Sequence, residues 1–254
     1  MNLLDQLNPS QKEAVLSEKK YLRIIAGAGS GKTRVLTVRI AHLILNKGYD
    51  PTSILAITFT NKAANEMKER VASFLPSHVK SPFISTIHSL CVRILREDIH
   101  VLNMEKTFNI MDNDDQKTIL KEAYKVLNIE KGAFNDYDLI SYISNNKNSK
   151  ISCCDALKQA YGFSILEEKA RIYEYYCKRQ LKLNALDFDD LLVYTEKILK
   201  NYPAVAQKWS RRFKYILVDE FQDVNKIQFD IVRMLALDNS SVLVVGEPDQ
   251  TIYT

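Results

Sequence analysis

The chain has 254 residues, 46% of them hydrophobic and 26% charged, with a formal net charge of +4. That is the ordinary balance of a soluble globular protein, long enough for one large domain or two ordinary ones with a sizeable core. With 7 glycines and 6 prolines it has little material for long flexible linkers, and its basic excess permits a polyanionic partner without requiring one.

The four cysteines are Cys91, Cys153, Cys154 and Cys177. The adjacent pair does not fit a Cys-x₂-Cys metal pattern, and no histidine pair completes a zinc site. They read as reduced thiols of a cytoplasmic protein. The N-terminus turns polar by Asp5, too soon for a signal peptide. No apolar run approaches the ~20 residues of a membrane span, so no membrane partner is expected.

In chain order, Leu7-Asn8-Pro9-Ser10-Gln11 opens the first element. Asn8 or Ser10 can cap a helix over Gln11 to Ser17, with Pro9 in its first turn. The Gln11 amide both donates and accepts, which also makes it a candidate reader of an adenine edge. Tyr21 to Ile25 is a short apolar run that reads as a buried parallel strand, and Arg34 to Leu45 is helix-like. Between them lies Ala26-Gly27-Ala28-Gly29-Ser30-Gly31-Lys32-Thr33. Strand, Gly-rich loop and helix is the setting of a P-loop, in which backbone N–H groups wrap a phosphate. Small side chains permit that approach, glycines supply unusual φ/ψ, and the helix N-terminus adds partial positive charge. In such a loop Lys32 reaches the β/γ-phosphates and the Thr33 hydroxyl ligates Mg²⁺. Ala26 stands where the first glycine is usual; Gly27 and Gly29 keep the loop permissive.

Gly48-Tyr49-Asp50-Pro51 is a turn. Ile54 to Phe59 reads as a second buried strand, running into Thr60-Asn61-Lys62-Ala63-Ala64-Asn65-Glu66-Met67 and a helix to about Leu75. A polar cluster at a strand's C-terminal end lies on the edge where open α/β sheets bind ligands. There Phe59 could stack on a base while its polar neighbours hold phosphates; equally, Phe59 is core and Thr60 a helix cap. After a loop from Pro76 to Pro82, Phe83 to Ile87 is a third strand ending at His88-Ser89. Thr86 and His88 again sit at a strand end, although a lone histidine is more often structural than functional. Leu90 to Leu102 reads as a helix.

From about Lys106 the pattern changes. Phe108 to Met111 suits a short strand, and Asp112 to Asp115 cap a helix from Gln116 to Leu127. Helical patterns then continue to Asn184, broken near Gly132, at the Asn145–Ser149 polar run and at Gly162, so residues 106–185 read as a helical insertion. The polar run reads as a solvated loop, and Tyr161, Phe163, Tyr173, Tyr175 and Tyr176 as helix packing. The acidic residues of Leu186 to Leu192 mark a helix start rather than a metal site.

Phe213 to Val218 is a further buried strand, running into Asp219-Glu220-Phe221-Gln222-Asp223. An apolar strand ending in Asp-Glu is a Walker B arrangement, in which Asp219 holds the Mg²⁺ bound at Thr33 and Glu220 acts as general base toward the attacking water. Strand neighbours point in different directions, so two adjacent carboxylates can divide these roles. Ile227 to Leu237 is a helix and Ser241 to Val245 a strand, followed by Gly246-Glu247-Pro248-Asp249-Gln250-Thr251-Ile252-Tyr253. Gln250 sits at a strand end, where a γ-phosphate sensor belongs.

Taken in order, Leu-Asn-Pro-Ser-Gln, Ala-Gly-Ala-Gly-Ser-Gly-Lys-Thr-Arg, Phe-Thr-Asn-Lys-Ala-Ala, Thr-Ile-His-Ser, Asp-Glu-Phe-Gln-Asp and Gly-Glu-Pro-Asp-Gln-Thr-Ile-Tyr resemble superfamily 1 helicases of the UvrD/PcrA/Rep type, from residue 7 to 254. The resemblance implies an α/β fold: a RecA-like P-loop domain with a parallel sheet over 1–105 and 186–254, interrupted by a mostly helical subdomain over 106–185. It implies an ATP- and Mg²⁺-dependent motor moving 3′ to 5′ on single-stranded DNA and acting at single-strand/duplex junctions. Gln11 and Arg34 would contact adenine. The loop over Ala26, Gly27, Ala28, Gly29, Ser30, Gly31, Lys32 and Thr33 would bind phosphate, with Thr33 and Asp219 on the metal. Glu220, Lys32 and Gln250 would serve catalysis, and Phe59, Asn61, Thr86, His88 and Tyr253 would lie on the DNA side. Glu247 stands where the family usually has Asp, with little expected consequence. The family also continues past this point with a Trp-Arg-Gly-Ala run and a second RecA-like domain bearing arginine fingers, so the chain reads as the N-terminal portion of a longer protein. A helicase–nuclease subunit of the RecB/AddA type, and a non-motor P-loop module, stay open as alternatives.

Overall fold

The computed structural model describes residues 3–130, 132–236 and 240–247. Its chain forms two compact units, one from residues 1–90 with 199–254 and one from 91–198. The 106–185 segment lies inside the second.

In the first unit, α1 (Pro9–Leu16) leads to β1 (Tyr21–Ile25), α2 (Lys32–Leu45), β2 (Ile54–Thr58), α3 (Asn61–Phe74), β3 (Phe83–Thr86) and α4 (Ile87–Asp98), whose last turns belong to the second unit. Among the described residues the strands of this unit are all parallel, in the order β1-β7-β6-β2-β3. The central strand, β6 (Tyr215–Val218), and its neighbour β7 (Ser241–Gly246) come last in the chain. Register pairs Ile25 with Gly246, Val218 with Val244 and Thr58 with Thr86, so the strands' C-terminal ends lie on one edge. Leu36, Ile40, Met67, Leu217, Leu243 and Val245 are among the buried side chains that join α2 and α3 to the sheet. Burying such apolar area is the main stabilising contribution to this layer.

Asn8 caps α1 in a capping box with Gln11, so the helix begins at Pro9, earlier than the periodicity suggests. Arg39, buried on α2, ties that helix to the end of α1 and the start of β6. It donates to the carbonyls of Val15 and, at 2.5 Å, Ser17, and at 2.6 Å to the Tyr215 hydroxyl. A buried guanidinium with its donors so occupied avoids the cost of an unsatisfied charge.

The second unit contains β4 (Asn109–Ile110), α5 (Asn113–Val126), α6 (Asp136–Asn148), α7 (Cys153–Ala160), α8 (Ser164–Leu183) and β5 (Ala185–Leu186), and most of α9 (Phe188–Asn201). It is not wholly helical: β4 and β5 pair in parallel, Asn109 with Ala185 and Ile110 with Leu186. Leu120, Ala123, Leu139, Tyr173 and Tyr176 lie in its core, whereas Tyr161 and Phe163 are exposed, so helix packing explains only part of the aromatic set. Burial pushes the Cys91 and Cys177 thiols up to about 12, and the four cysteines are free.

The polar run at Asn145–Asn148 belongs to α6 and is not a solvated loop. Lys147 is buried and pairs with Asp187 at 2.6 Å and Asp190 at 2.8 Å, while Gln180 and the Tyr176 hydroxyl complete the cluster. Asp187 and Asp190 also cap the start of α9 reciprocally, through their backbone N–H groups at 3.1 and 3.0 Å. The helix-start reading of this acidic stretch therefore holds, with a buried cation added. The chain then runs through α10 (Pro203–Arg212) to β6, α11 (Lys226–Leu235) and β7. Among the described residues no helix is long and apolar enough to cross a membrane.

Candidate functional site

The site lies on the C-terminal edge of the five described strands of the first unit. β1 ends at Ile25, and Ala26 donates its N–H to the Gly246 carbonyl at 3.2 Å, which ties the start of the loop to β7. Gly29 and Gly31 have φ of 72° and 84°, in the left-handed region where a side chain is strained. Gly31 is the N-cap of α2. A Cβ on Gly31 would meet the Gln11 amide nitrogen at 2.8 Å, while Cβ atoms on Gly27 and Gly29 would meet nothing within 4 Å. The loop thus leaves open space beside the first N–H groups of α2, which have no acceptor within their own helix.

Gln11 reaches the loop directly. Its side-chain amide donates to the Ser30 carbonyl at 2.8 Å, and its oxygen accepts the Asn8 N–H at 3.0 Å. Gln11 and Arg34 both come within 4.0 Å of where a Gly31 Cβ would stand. Thr33 is half-buried at the start of α2. Lys32 is 8% exposed; its ammonium donates to the Ala26 carbonyl at 3.3 Å and is ion-paired with Glu247 at the end of β7.

Asp219 follows β6 and is 5% exposed. Its N–H bonds the Ile57 carbonyl at 2.9 Å and its carboxylate accepts the Glu220 N–H at 3.1 Å. Burial, then the Glu220 charge, push its pKa up to about 6, against the pull of the Glu220 N–H and Lys32. The two carboxylates are not strand neighbours. β6 ends at Val218, and Glu220 takes φ 46° at the head of a 3-10 turn over Phe221–Asp223. A turn, not the strand's pleat, sends the two side chains apart.

These residues suit a nucleotide phosphate and a divalent cation. The loop has permissive glycines and a helix N-terminus, and it is followed by a lysine now held by a carboxylate. A buried acid with a raised pKa gains from a cation beside it. No group of three or more His, Cys, Asp or Glu converges on a metal position among the described residues. Few protein ligands is the expected condition for Mg²⁺ bound chiefly through phosphate oxygens and water.

The neighbouring strand ends are a mixed set. Phe59 is 39% exposed after β2, and Thr60 caps α3 by accepting the Ala63 N–H at 3.1 Å. The Phe59 ring is therefore not core, while Thr60 is a cap. Asn61 is exposed in the first turn of α3. Thr86 is buried, and its hydroxyl is engaged with Ser89 at 2.9 Å, capping α4. His88 is half-buried in that helix's first turn. Gln250 and Tyr253 lie outside the described residues.

Two contacts here were not legible in the motifs. One is the Lys32–Glu247 pair, although Glu247 stood out as a departure. The other involves Gln222, whose side-chain amide donates to the Glu220 carboxylate at 2.8 Å and whose oxygen accepts the Glu247 N–H at 3.1 Å.

Residues 7–254 match the UvrD/REP helicase N-terminal domain. The chain is 48% identical over 259 residues to a probable DNA helicase II homolog of Mycoplasma capricolum, covering 100% of this chain and 36% of the relative. It is 45% identical to the ATP-dependent DNA helicase PcrA of Staphylococcus aureus over 252 residues, and to that of Bacillus subtilis over 251, covering 99% of this chain and 34% of each relative. The chain thus spans about a third of the length of these curated relatives. With a parallel sheet carrying a P-loop after β1 and an Asp-Glu pair after β6, and with a family match over nearly its whole length, the chain belongs to the UvrD/REP helicase N-terminal domain family.

Proposed function

We propose that this chain is the N-terminal motor portion of a cytoplasmic, ATP-dependent DNA helicase and translocase that moves 3′ to 5′ and works at junctions of single-stranded and duplex DNA. One observation carries the reading: the loop ending in Lys32 and the Asp219–Glu220 pair come together on one sheet edge, beside the exposed Phe59 and Asn61.

In this reading the loop from Ala26 to Thr33 cradles the triphosphate, and Gln11 and Arg34, both close to Gly31, border the adenine. Lys32 leaves Glu247 for a phosphate oxygen. Thr33 and Asp219 hold Mg²⁺, which when bound offsets the charge developing on the β- and γ-oxygens. Glu220 takes the proton of the attacking water. Gln250 would serve as γ-phosphate sensor. Phe59, Asn61, Thr86, His88 and Tyr253 form the DNA side, with Thr86 acting through the fold of its strand end, since its hydroxyl is engaged. The P-loop domain corresponds to 1–105 with 186–254, and 106–185 to the inserted subdomain. In a longer chain a second RecA-like domain, 2A, would complete the ATP site, with a further domain, 2B, accompanying it.

Glu220→Gln in the full-length protein tests the assignment. Binding of ATP should survive while DNA-stimulated hydrolysis falls by about 10²- to 10⁴-fold, the range general-base catalysis supplies. Unchanged turnover would show that Glu220 is not the base, and absence of stimulation by single-stranded DNA in the wild type would favour a non-motor module.

A further inference from the structure

Gln222 sits in the 3-10 turn that begins at Glu220. The turn closes through its own backbone: Asp223 N–H bonds the Glu220 carbonyl at 3.0 Å and Val224 N–H the Phe221 carbonyl at 3.3 Å. The Gln222 side chain is therefore not needed to form the turn. It is committed elsewhere, at both ends. Its nitrogen donates to Glu220 Oε2 at 2.8 Å, and its oxygen accepts the Glu247 N–H at 3.1 Å. The orientation of the amide is unambiguous. A backbone N–H can only donate and a carboxylate can only accept, so oxygen must face Glu247 and nitrogen Glu220.

The approach is close. A Cβ on Gly246 would stand 2.9 Å from the Gln222 oxygen and 3.5 Å from its backbone nitrogen. Gly246 lets the turn pack on the end of β7. Glu247, the next residue, is the partner of Lys32. One side chain thus links the Glu220 carboxylate with the residue whose own carboxylate holds the P-loop lysine.

We propose that Gln222 is a positioning residue that holds Glu220 in its reactive orientation and ties it to the end of β7. The inference rests on the reading of Glu220 as general base. Glutamine is suited by chemistry: glutamate cannot donate to Glu220, lysine cannot accept from Glu247, and asparagine is one methylene shorter. A carboxylate on a turn with φ 46° has no strand pairing of its own to fix it, so its orientation depends on such a bond.

The test is steady-state, DNA-stimulated ATP hydrolysis by the full-length protein carrying Gln222→Ala or Gln222→Glu. Binding of a fluorescent, non-hydrolysable ATP analogue serves as the probe of folding and of the phosphate loop. Both variants should lose about 10- to 100-fold in kcat, the cost of a misplaced catalytic group. KM for ATP and analogue affinity should move by less than about threefold, because neither end of the bridge touches the loop's own amides. Gln222→Glu keeps side-chain volume and the Glu247 contact, so it answers the question even if the alanine variant folds poorly. In a Glu220→Gln background, Gln222→Ala should add less than about threefold, because its effect passes through Glu220. A kcat within about twofold of wild type, or an equal loss in both backgrounds, overturns the inference while leaving Glu220 as base. Full turnover by Glu220→Gln alone overturns the underlying reading instead, and the inference with it.

Discussion

Asp219 is a buried acid at the proposed metal position. Its carboxyl, pushed up to about 6 by burial and by Glu220, compares with about 3.9 in an unfolded chain. Between those values the folded state binds more protons than the unfolded state, so this group's contribution to stability falls as pH rises from about 4 to 6. Above that window the buried charge is a standing cost. Asp219→Asn keeps an acceptor for the Glu220 N–H and removes the charge. In residues 1–254 without divalent cation, the variant should gain about 1–2 kcal/mol over wild type at pH 7, and the gain should vanish near pH 4. Urea unfolding of both proteins across that range measures it; a variant less stable at pH 7 contradicts the prediction. Lys32 and Glu247 present a complementary case. The pair leaves the ammonium satisfied before any phosphate arrives, so binding must exchange one anion for another. Glu247→Gln should tighten binding of an ATP analogue by about 3- to 10-fold, equivalent to about 1 kcal/mol, and weaker binding by titration would refute it.

At the level of elements, α6 is held to the start of α9 by charge. Burial opposes a charged Lys147, but Asp190 and Asp187 outweigh it and raise its pKa above the usual ammonium range. Asp190 is itself pushed up to about 6, by burial and by Asp187. Lys147→Met removes the cation from between two buried carboxylates. It should cost about 3–5 kcal/mol by denaturant unfolding, a deficit that narrows toward pH 5 as Asp190 takes up a proton. A loss below about 1 kcal/mol, or one that grows on acidification, would contradict this. The same cluster shows what sequence reading could reach. Phosphate-loop, strand and cap positions are local signals: small residues between an apolar run and a helix, or Asn8 three residues before Gln11. Asn145–Ser149 carries no such signal. Its polarity reads as solvent exposure, because the acids that bury Lys147 lie 40 or more residues ahead. The placement of Glu220 as a strand neighbour of Asp219 failed for a related reason. Composition cannot distinguish a strand's last residue from a turn with positive φ, and the difference shows only in the backbone, where Glu220 has φ 46°. Of the β4–β5 ribbon, β4 falls within the short strand expected over Phe108 to Met111, whereas the two residues of β5 are too few for alternation to register.

For the whole molecule, coverage decides what activity to expect. The chain spans 34–36% of its relatives' length, so the second RecA-like domain of the proposed motor would lie in the part it does not span. An arginine finger from a second domain is worth about 10³- to 10⁵-fold in related NTPases. Residues 1–254 alone should therefore bind ATP weakly, hydrolyse it very slowly and unwind no duplex. Titration calorimetry with an ATP analogue and an ATPase assay with and without single-stranded DNA test this, and robust DNA-stimulated turnover would contradict it.

The strand order bears on how the chain is made. β1 emerges from the ribosome first, with β2 and β3 close behind, yet β1 pairs with β7 and β2 with β6 across the middle of the sheet. Those two strands are synthesised only after the whole of residues 91–198. Until those strands are made, then, Ile54, Leu55 and Ile57 have one sheet edge open, and β1 has no neighbour from the described sheet. The apolar edges of a half-built parallel sheet are sticky and slow to close. The P-loop, first to be made, is among the last parts of the nucleotide site to acquire its shape.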